Sequence, residues 1–424
     1  MNNLVIICAI LLLVLLFLKV PVYIAVLSAS AVYFIGTPGM NLSIFAQKTI
    51  SGAEGLSLLA IPFFVCAGIF MNYTGVTKRI MNCCEVLTAR MPGGLAQVNI
   101  LLSTLMGGLS GSSLADAAMQ CKMLVPTMES KGYSKSFSTV ITAASGMVVP
   151  LIPPGVGLII YGCINNISIG KLFIAGIGPG IVLCVTLMIF THFLSKKRGY
   201  LPSRTTKIPV SEKIAAVRPA FLPLLLPIII IGGVRIGVFT ASEAGTVAIV
   251  YAVLLGLLYK ELTLKNVMQG CKETVTTTAS IMLIVAAATC FSWILTKEQI
   301  PQQFSQWMIS NIHNKYVFLI MVNIFLLIVG MFIEGNASMI VLAPLLHPVA
   351  MAYGIDDIHF AMVYIFNCTI GAFTPPMGTL MFVSCGITKC PTKDFIKEAV
   401  PFYILFAIDI IVLTYIPQLT TFLV

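Results

Sequence analysis

The chain has 424 residues, of which 58% are hydrophobic and 9% charged, and its mean hydropathy is +1.01. A composition this apolar excludes an ordinary soluble domain and indicates a polytopic membrane protein. The formal net charge is +10, but the basic residues are spread through short loops, which predicts membrane topology rather than nucleic-acid binding.

The N-terminal segment is expected to be a retained helix rather than a cleavable signal. Residues 1–18 have no basic residue before their apolar run, and no small-residue cleavage pattern follows at Lys19. The 12 cysteines are scattered without CxxC spacing. We therefore interpret them as small packing residues rather than metal ligands or redox pairs.

Apolar segments of about 20 residues predict helices that cross the membrane. We place such crossings at 3–18, 21–37, 56–73, 171–194, 219–235, 242–259, 274–296 and 400–421. Two longer segments, 136–166 and 356–388, each predict one more crossing that is broken internally.

A Pro-Pro pair interrupts each of these two segments, Pro153-Pro154 in the first and Pro375-Pro376 in the second. Proline lacks a backbone donor and clashes with the preceding turn, so each break leaves carbonyl oxygens without partners at membrane depth. Matched breaks in two halves of an apolar chain are typical of a transporter's central substrate and ion site.

Two further apolar stretches, 95–128 and 316–350, have Gly-rich centres at 107–112 and 330–335. We interpret both as re-entrant hairpins, because a polar turn at membrane depth is tolerated only inside protein or beside a water-filled cavity. The connectors 77–90 and 299–313 carry apolar residues at helical spacing, which predicts helices lying along the membrane surface.

The strongly basic loop between residues 196 and 218 predicts a cytoplasmic location. With both hairpins re-entrant, all but five of the 25 basic residues then fall on the cytoplasmic side. The five outside are Lys48, Lys171, Arg235, Lys297 and Lys315. Counting the predicted crossings outward from this cytoplasmic loop places both termini outside.

The two halves resemble each other. The Pro-Pro pairs lie 222 residues apart, and the Lys-Leu-Phe at 171–173 matches the Lys-Asp-Phe at 393–395 at the same offset. An odd number of predicted crossings separates the two copies, which inverts the second. The predicted fold is an all-α polytopic membrane protein with two inverted repeats. Its predicted divisions are scaffold helices at 1–50, repeat 1 at 51–195, linking helices at 196–273 and repeat 2 at 274–424.

Several motifs carry a specific family resemblance. They are the segments 58–68, 107–116 (GGLSGSSLAD), 150–155, 171–180, 228–245 and 367–378 (NCTIGAFTPPMG). Together they resemble the large membrane subunit of tripartite ATP-independent periplasmic (TRAP) transporters along nearly the whole chain.

The resemblance implies a secondary transporter of the bacterial inner membrane that imports an organic acid with sodium by an elevator movement. The acid would be a sugar acid, sialic acid or a dicarboxylate. A periplasmic solute-binding protein would deliver it, and a small membrane subunit would enlarge the scaffold. Sodium ions would be the coupling ions, with no covalent cofactor.

Broken helices and hairpin hydroxyls supply the several oxygen ligands that a hard cation such as sodium prefers. In the first half the candidate ligands are Ser103, Ser110, Ser112, Gly146, Val149 and Leu151. In the second half they are Gly330, Gly371, Thr374 and Met377. The alternative is that these small residues only permit close helix packing.

Helix N-termini at the hairpin tips would supply the positive potential that an anionic substrate needs. The candidate substrate residues are Ser112, Ser113, Asp116, Pro153, Pro154, Glu334, Asn336, Ser338, Pro375 and Pro376. Where the family more often has Asp followed by a Thr-Pro type sequence, this chain has Glu-Gly-Asn at 334–336. That departure leaves the identity of the substrate open.

Four acidic residues lie at or near membrane depth, where a carboxylate is costly unless it is paired, ion-bound or protonated. Glu334 could bind sodium, a proton or substrate hydroxyls, or could cap a helix. Asp116 could hydrogen-bond within its hairpin, and Asp409 has no assigned partner. Glu243 follows Thr240 in a capping-box pattern, which favours a structural role.

The sequence leaves two alternative functions open. The sequence Gly-Leu-Ser-Gly at 108–111 has the form found in intramembrane serine proteases, in which a histidine would activate Ser110. A stand-alone divalent anion/sodium symporter would share the two hairpins but would need no binding protein.

Overall fold

The computed structural model describes residues 3–18, 20–204, 206 and 208–424. The regular structure of these residues is helical. The first half contains α1 (Asn3–Phe17), α2 (Val22–Gly36), α3 (Leu42–Ser51), α4 (Ala60–Asn72), α5 (Val76–Thr88), α6 (Gly94–Ser110), α7 (Ser113–Ser130), α8 (Lys135–Gly146), α9 (Val156–Asn165) and α10 (Ile169–Lys197).

The remainder contains α11 (Val210–Arg235), α12 (Ala241–Leu258), α13 (Leu264–Lys297), α14 (Ile300–Asn311), α15 (Lys315–Phe332), α16 (Gly335–Ala352), α17 (Asp357–Phe373), α18 (Thr379–Thr388), α19 (Thr392–Tyr415) and the short α20 (Gln418–Thr421). A 3-10 turn, Leu56–Leu59, precedes α4. Most of the helices fall where the hydropathy pattern predicts them.

Six described helices, α10, α11, α12, α13, α15 and α16, are long and apolar enough to cross a membrane, or seven if α4 and α5 form one bent span. This confirms the multi-pass membrane class. The 68° bend between α4 and α5 fits α5 as the connector predicted to leave the membrane axis. By length alone α15 and α16 could each cross, so the re-entrant interpretation of the second hairpin stays a prediction.

Hydropathy missed three features, one of which is that α11 begins at Val210, nine positions before its predicted start at 219. Helix α3 was not predicted, because its sequence alternates polar and apolar residues without a long apolar run. Helix α13 has 34 residues and begins ten positions before its predicted start. Thr263 caps that end by accepting a hydrogen bond from the amide of Asn266 at 3.2 Å, and such capping continues a helix beyond its apolar part.

The two halves make corresponding packing contacts. In the first hairpin, α7 packs against α8 and α18; in the second, α16 packs against α17 and α9. Likewise α6 packs against α8, and α15 against α17. Each hairpin therefore contacts its own broken helix and the C-terminal part of the other half's broken helix. This exchange is the contact pattern that two related repeats would produce.

Buried polar pairs join each hairpin to its own broken helix. The Thr142 hydroxyl of α8 donates to Asn99 Oδ1 of α6 at 3.1 Å, and Asn367 Nδ2 of α17 donates to Asn323 Oδ1 of α15 at 2.8 Å. A polar pair in an apolar interior has no water with which to exchange its hydrogen bond. These pairs therefore hold the hairpins to the broken helices.

The remaining helices surround this central unit. Helices α2 and α3 pack against α13, and α1 packs against α2, around a separate apolar core. Helix α4 packs between α12, α13 and the first hairpin arm α6. Helices α4 and α13 thus form the wall against which the hairpins and broken helices lie.

Four of the five basic residues predicted to lie outside come together in pairs. Lys48 and Lys297 approach the ring of Trp293 at 5.7 and 5.5 Å, and Lys171 and Arg235 line one cavity. Residues predicted to be cytoplasmic also meet one another: Lys131, Arg198 and Arg204 line a second cavity. Basic residues predicted to lie on the same side of the membrane are thus close together. This supports the predicted topology, which stays a prediction.

Candidate functional site

A cavity of about 210 Å³ lies where both hairpin tips meet both broken helices. The tips contribute residues 110–115 and 334–336. The broken helices contribute Pro150, Val156, Gly157, Cys368, Thr369, Ala372 and Thr379, and α16 contributes Met339. Scaffold helices α4 and α13 close the cavity with Val65, Gly68, Ile69, Asn72, Thr277 and Ile281.

Four helices begin at this cavity. Ser113, Val156, Gly335 and Thr379 are the first residues of α7, α9, α16 and α18, and all four line the cavity. The first turn of a helix has backbone N–H groups without intrahelical partners and carries the positive end of the helix dipole. No lysine or arginine among the described residues lines the cavity. The helix ends are therefore its source of positive potential for an anion.

The first hairpin tip is a tight turn with a neutral cap. Helix α6 ends at Ser110, and Gly111 follows it with a φ of +62°, in the left-handed region that glycine adopts without strain. The Ser112 hydroxyl caps α7 by accepting from the amide of Ala115 at 3.4 Å. The amide of Val156 donates to the Gly111 carbonyl at 3.4 Å, which joins the tip to the start of α9.

The second hairpin tip has an acidic cap instead. Glu334 precedes α16, and its Oε2 accepts from the amide of Ala337 at 3.1 Å. Its Oε1 accepts from Asn336 Nδ2 at 2.9 Å. The capping role that the sequence left open is thus confirmed. Glu334 is also the one charged side chain among the described residues that line the cavity.

The two breaks span residues 147–155 and 374–378, and both Pro-Pro peptide bonds are cis. Each break ends at a glycine against which the backbone folds back closely. A Cβ added at Gly155 would lie 2.2 Å from the Pro150 carbonyl oxygen, and one at Gly378 would lie 2.6 Å from the oxygens of Ala372 and Thr374. A Cβ contact this short is not sterically possible without moving the backbone, so both turns require glycine.

Free carbonyls occur in both breaks. Among the described residues, none donates a hydrogen bond to the carbonyl oxygens of Val149 or Met377. Such oxygens at membrane depth need a cation, water or another donor. The Thr374 hydroxyl donates to the Ile370 carbonyl at 2.7 Å, and its oxygen keeps lone pairs that could coordinate an ion.

Two of the predicted sodium ligands of the second half, Gly330 and Gly371, are in contact. A Cβ added at Gly371 would lie 2.5 Å from the Cα of Gly330, so α15 and α17 touch at these two glycines, three residues before Thr374. This close approach is what the packing alternative predicts for the two glycines. It also places the carbonyls of both helices beside the break, so the two roles are compatible.

The predicted sodium ligands of the first half are more dispersed. Gly146 lies against the Ser113 carbonyl oxygen, and Gly107 lies against Val149. Ser110 Oγ is buried and has no hydrogen-bond partner among the described residues. The Leu151 carbonyl instead contacts α10, where a Cβ at Gly176 would be only 2.2 Å from it.

Asp116 forms a buried polar triad inside the first hairpin. Ser103 Oγ donates to Asp116 Oδ2 at 2.6 Å. Gln120 Nε2 contacts the same oxygen at 2.8 Å and Ser103 Oγ at 2.7 Å. Asp116 is 1% exposed and does not line the cavity. Its predicted hydrogen bond within the hairpin is confirmed, and the same bond determines where the Ser103 hydroxyl points.

Three other polar residues singled out from the sequence, Ser338, Glu243 and Asp409, lie outside the central cavity. Ser338 faces α17, where the Tyr364 hydroxyl donates to its carbonyl at 3.0 Å, and the residue is 1% exposed. Glu243 forms the predicted capping box with Thr240. Asp409 of α19 accepts a hydrogen bond from the Thr186 hydroxyl of α10 at 3.0 Å.

Pro153, Pro154, Pro375 and Pro376 lie in the breaks but do not line the cavity. The Pro154 carbonyl oxygen instead lies close to the first tip, where a Cβ at Gly111 would be 3.0 Å from it. These prolines shape the backbone around the site rather than forming its surface.

Four polar cavity residues were not predicted from the sequence: Asn72, Thr277, Thr369 and Thr379. Thr277 lies in the run of three threonines at 276–278 within α13, and hydroxyls in an apolar helix are a usable signal. Asn72 ends α4, four residues after the motif at 58–68. The sequence predicts a helix at α4 and at α13, but it does not show which face of each helix meets the hairpin tips.

The histidines do not pair with Ser110. His347 lies 3.4 Å from the Tyr161 hydroxyl, and His359 contacts Thr420 and Thr414. The ring of His192 packs against Phe193, and His313 Nδ1 lies 2.9 Å from the Ile309 carbonyl oxygen. The geometry of the described residues thus provides no histidine base for the serine protease alternative.

Solved structures share this fold. The chain aligns with the YdaH transporter of Alcanivorax borkumensis at a TM-score of 0.56 and 11% identity, over 86% of both chains. It aligns with MtrF of Neisseria gonorrhoeae, described as an antimetabolite efflux pump, at a TM-score of 0.58 and 14% identity, over 97% of this chain and 94% of the other. At these identities the likeness concerns the fold alone, and it is the fold of a membrane transporter.

Sequence relatives are much more similar. The chain is 39% identical to the sialic acid TRAP transporter large permease protein SiaM of Vibrio cholerae, covering 96% of each. It is 35% identical to the 2,3-diketo-L-gulonate TRAP transporter large permease protein YiaN of Escherichia coli, covering 94% of each. It is also 35% identical to the sialic acid TRAP transporter permease protein SiaT of Haemophilus influenzae, covering 97% of this chain but 66% of that protein.

The family described as tripartite ATP-independent periplasmic transporter, DctM component, matches residues 9–419. This match includes both hairpins, both breaks and every residue that lines the central cavity. The chain therefore belongs to the DctM family and is the large permease subunit of a TRAP transporter.

Proposed function

We propose that this permease imports an organic acid with sodium across the bacterial inner membrane. The observation that carries the proposal is the central cavity, onto which four helix N-termini converge without a lysine or arginine. Backbone dipoles attract a carboxylate without holding it as tightly as a buried cationic side chain would. A carrier must both bind and release its substrate, and this arrangement suits that requirement.

The breaks supply the proposed sodium sites. The second proposed site consists of Gly330, Gly371, Thr374 and Met377. The contact between Gly330 and Gly371 supports it, because it brings α15 next to the end of α17, where the second break begins. The first site consists of the Gly146 and Val149 carbonyls with hydroxyls of the first hairpin. Of these hydroxyls, Ser110 Oγ is buried without a partner among the described residues. Leu151 is the weakest member of the proposed set, because its carbonyl faces α10.

The proposed elevator moves the hairpins and broken helices, α6–α9 and α15–α18, against α4 and α13. Cavity walls from both groups support this division, since such a movement would open the cavity to either side. The two inverted repeats are part of the same proposal, supported by the exchange of packing partners between the halves.

The proposed partners are a small membrane subunit and a periplasmic binding protein. Two relatives are named large permease proteins, a name that implies a smaller companion. The SiaT permease has about a third of its length beyond the match, which is room for such a companion within one chain. The proposed substrate is a sugar acid, the class of molecule to which sialic acid and 2,3-diketo-L-gulonate belong.

The test is uptake into liposomes that contain this chain and its small subunit, with the cognate binding protein outside. Inward sodium should drive accumulation of a sugar acid such as sialic acid. Equal uptake with a proton gradient and no sodium would contradict the ion assignment. Equal uptake without the binding protein would favour the stand-alone symporter.

A further inference from the structure

An apolar groove of about 640 Å³ lies behind the second hairpin and shares no lining residue with the central cavity. Helices α1, α13 and α14 form most of one wall, and α15 and α16 form the other. We propose that this groove binds one acyl chain of a membrane phospholipid, with the lipid phosphate beside Lys297. The site lies apart from the proposed acid and sodium sites, so it stands independently of the proposed function.

The lining of the groove suits an apolar ligand. No aspartate, glutamate, lysine or arginine among the described residues lines it. Two polar side chains that do line it already have partners. Gln303 Nε2 donates to the Glu298 carbonyl at 3.1 Å, and the Ser338 hydroxyl lies 3.3 Å from the Tyr364 hydroxyl. A hydrocarbon chain loses no hydrogen bond on entering such a site, whereas an organic acid or a sugar would.

The length of the groove matches one leaflet of a bilayer. Helix α1 lines it from Val5 to Leu16, a distance of about 16 Å at about 1.5 Å per residue. The hydrocarbon core is about 30 Å thick, so one leaflet contributes about 15 Å. The rings of Phe17 and Phe332 meet at 5.4 Å and join α1 to α15 at the deep end. A partner helix would have to continue across the membrane, so this closed groove fits a chain that enters from one surface.

Charged and amphipathic groups occur at the other end of the groove. Leu295 and Ile300 both line it, and Lys297 lies between them at the end of α13. Lys297 is exposed and forms no ion pair among the described residues. Trp307 of α14 also lines the groove and is 56% exposed. Tryptophan rings gather at the level of lipid headgroups, and lysines attract lipid phosphates. This end therefore suits a phospholipid headgroup.

The groove and the central cavity lie on different faces of α16. Asn336 and Met339 line the central cavity, whereas Ala337 and Val341 line the groove. An acyl chain in the groove would therefore pack directly behind the second hairpin tip. A ligand that binds only the folded protein stabilises it, so a bound phospholipid should raise the temperature at which the permease unfolds.

Native mass spectrometry can count the lipid that the protein retains. The full chain, with and without its small subunit, would be delipidated in detergent and then given dioleoyl phosphatidylglycerol. Wild type should retain one phospholipid more than Ala9→Phe, because the new ring would fill the middle of the groove. Ala407→Phe is the matched control: Ala407 is exposed on α19 beside the exposed Ile408, and this variant should retain lipid as wild type does. The lipid should raise the unfolding temperature of wild type and of Ala407→Phe, but not that of Ala9→Phe.

The headgroup position has its own test. Lys297→Gln should weaken binding of dioleoyl phosphatidylglycerol by about 3-fold, the effect expected of an exposed charge pair. It should leave binding of dioleoylglycerol unchanged, since that lipid has the same acyl chains and no phosphate. Lys315→Gln makes the same chemical change at the start of α15 and should behave as wild type. Unchanged phosphatidylglycerol binding in Lys297→Gln would remove Lys297 from the site.

Cross-linking tests the groove without any substitution. A phosphatidylglycerol that carries a photoreactive diazirine at the end of one acyl chain should attach to α1 or α16 of the wild-type protein. Attachment only to the exposed faces of α11 and α12, or equal lipid retention by wild type and Ala9→Phe, would overturn the proposed lipid site. Loss of the lipid when the small subunit is added would show that the groove is instead an interface with that subunit.

Discussion

The two hairpin tips occupy corresponding places in the two halves, but their chemistry differs. The first tip turns through Gly111 in a left-handed conformation and is capped by the neutral Ser112. The second enters α16 through extended backbone at Ile333 and is capped by Glu334. Related architecture thus presents a neutral, positively polarised end on one side of the cavity and an acidic end on the other. A pair of equivalent turns can in this way form an asymmetric site for a substrate with two different ends.

The largest expected effect comes from the difference in backbone conformation between the two hairpin tips. Gly111→Ala places a side chain at φ +62° and 3.0 Å from the Pro154 carbonyl, so the first tip should distort and uptake should fall at least about 10-fold. The left-handed conformation alone costs about 1–2 kcal/mol for a residue with a Cβ.

At the second tip, Gly335→Ala meets its nearest atom at 3.5 Å without a positive φ. Its thermal unfolding temperature should therefore change little. The unfolding temperatures of Gly111→Ala and Gly335→Ala, both measured in detergent, test whether the two tips differ in this way. Equal unfolding temperatures for the two variants would show that the tips are not conformationally different.

The buried triad of the first hairpin provides the next contrast. Asp116→Ala should leave Ser103 and Gln120 without their shared acceptor and destabilise the protein by about 2–3 kcal/mol. Asp116→Asn keeps an acceptor oxygen and should be milder. Thermal unfolding would be measured with and without sodium. A fully stable Asp116→Ala protein would show that the triad does not hold the hairpin together.

Thr374→Val tests the second break. If the Thr374 hydroxyl is a sodium ligand, its loss should raise the sodium concentration for half-maximal uptake several-fold, with normal expression. Thr246→Val is a matched control, because that hydroxyl also bonds back to its own helix, donating to Ser242 at 3.3 Å, but lies away from the breaks. An unchanged sodium dependence in Thr374→Val would remove this residue from the site.

The smallest effect is expected outside the tips. Glu243→Ala removes the side-chain half of an exposed capping box at the start of α12. It should lower the unfolding temperature slightly and leave sodium-driven uptake unchanged, since Glu243 does not touch the cavity. A large loss of uptake would mean that the scaffold end at Thr240 takes part in transport.

Much of the fold and part of the site could be predicted. Hydropathy located the membrane helices, and the Gly-rich centres and Pro-Pro pairs located the tips and breaks. Of the predicted site residues, Ser110, Ser112, Ser113, Glu334 and Asn336 line one cavity. These signals are local: apolar length, missing donors and conformations restricted to glycine act on a few adjacent residues.

Other predicted residues could not be oriented from the sequence. Ser338 follows the second tip by two residues, yet it faces Tyr364. Leu151 lies in the first break, yet its carbonyl contacts Gly176 of α10. Which way a group points depends on the partner helix, and that partner can be distant in the chain.

The sequence by itself determined that this chain is a membrane transporter subunit with two broken helices and two glycine-centred turns, because lipid as a solvent imposes strong local rules on composition. Only the tertiary structure decided that four helix ends share one cavity, that Asn72 and Thr277 complete its wall, and that Glu334 is its single charge among the described residues. Those facts depend on packing between segments hundreds of residues apart, and no local pattern records such packing.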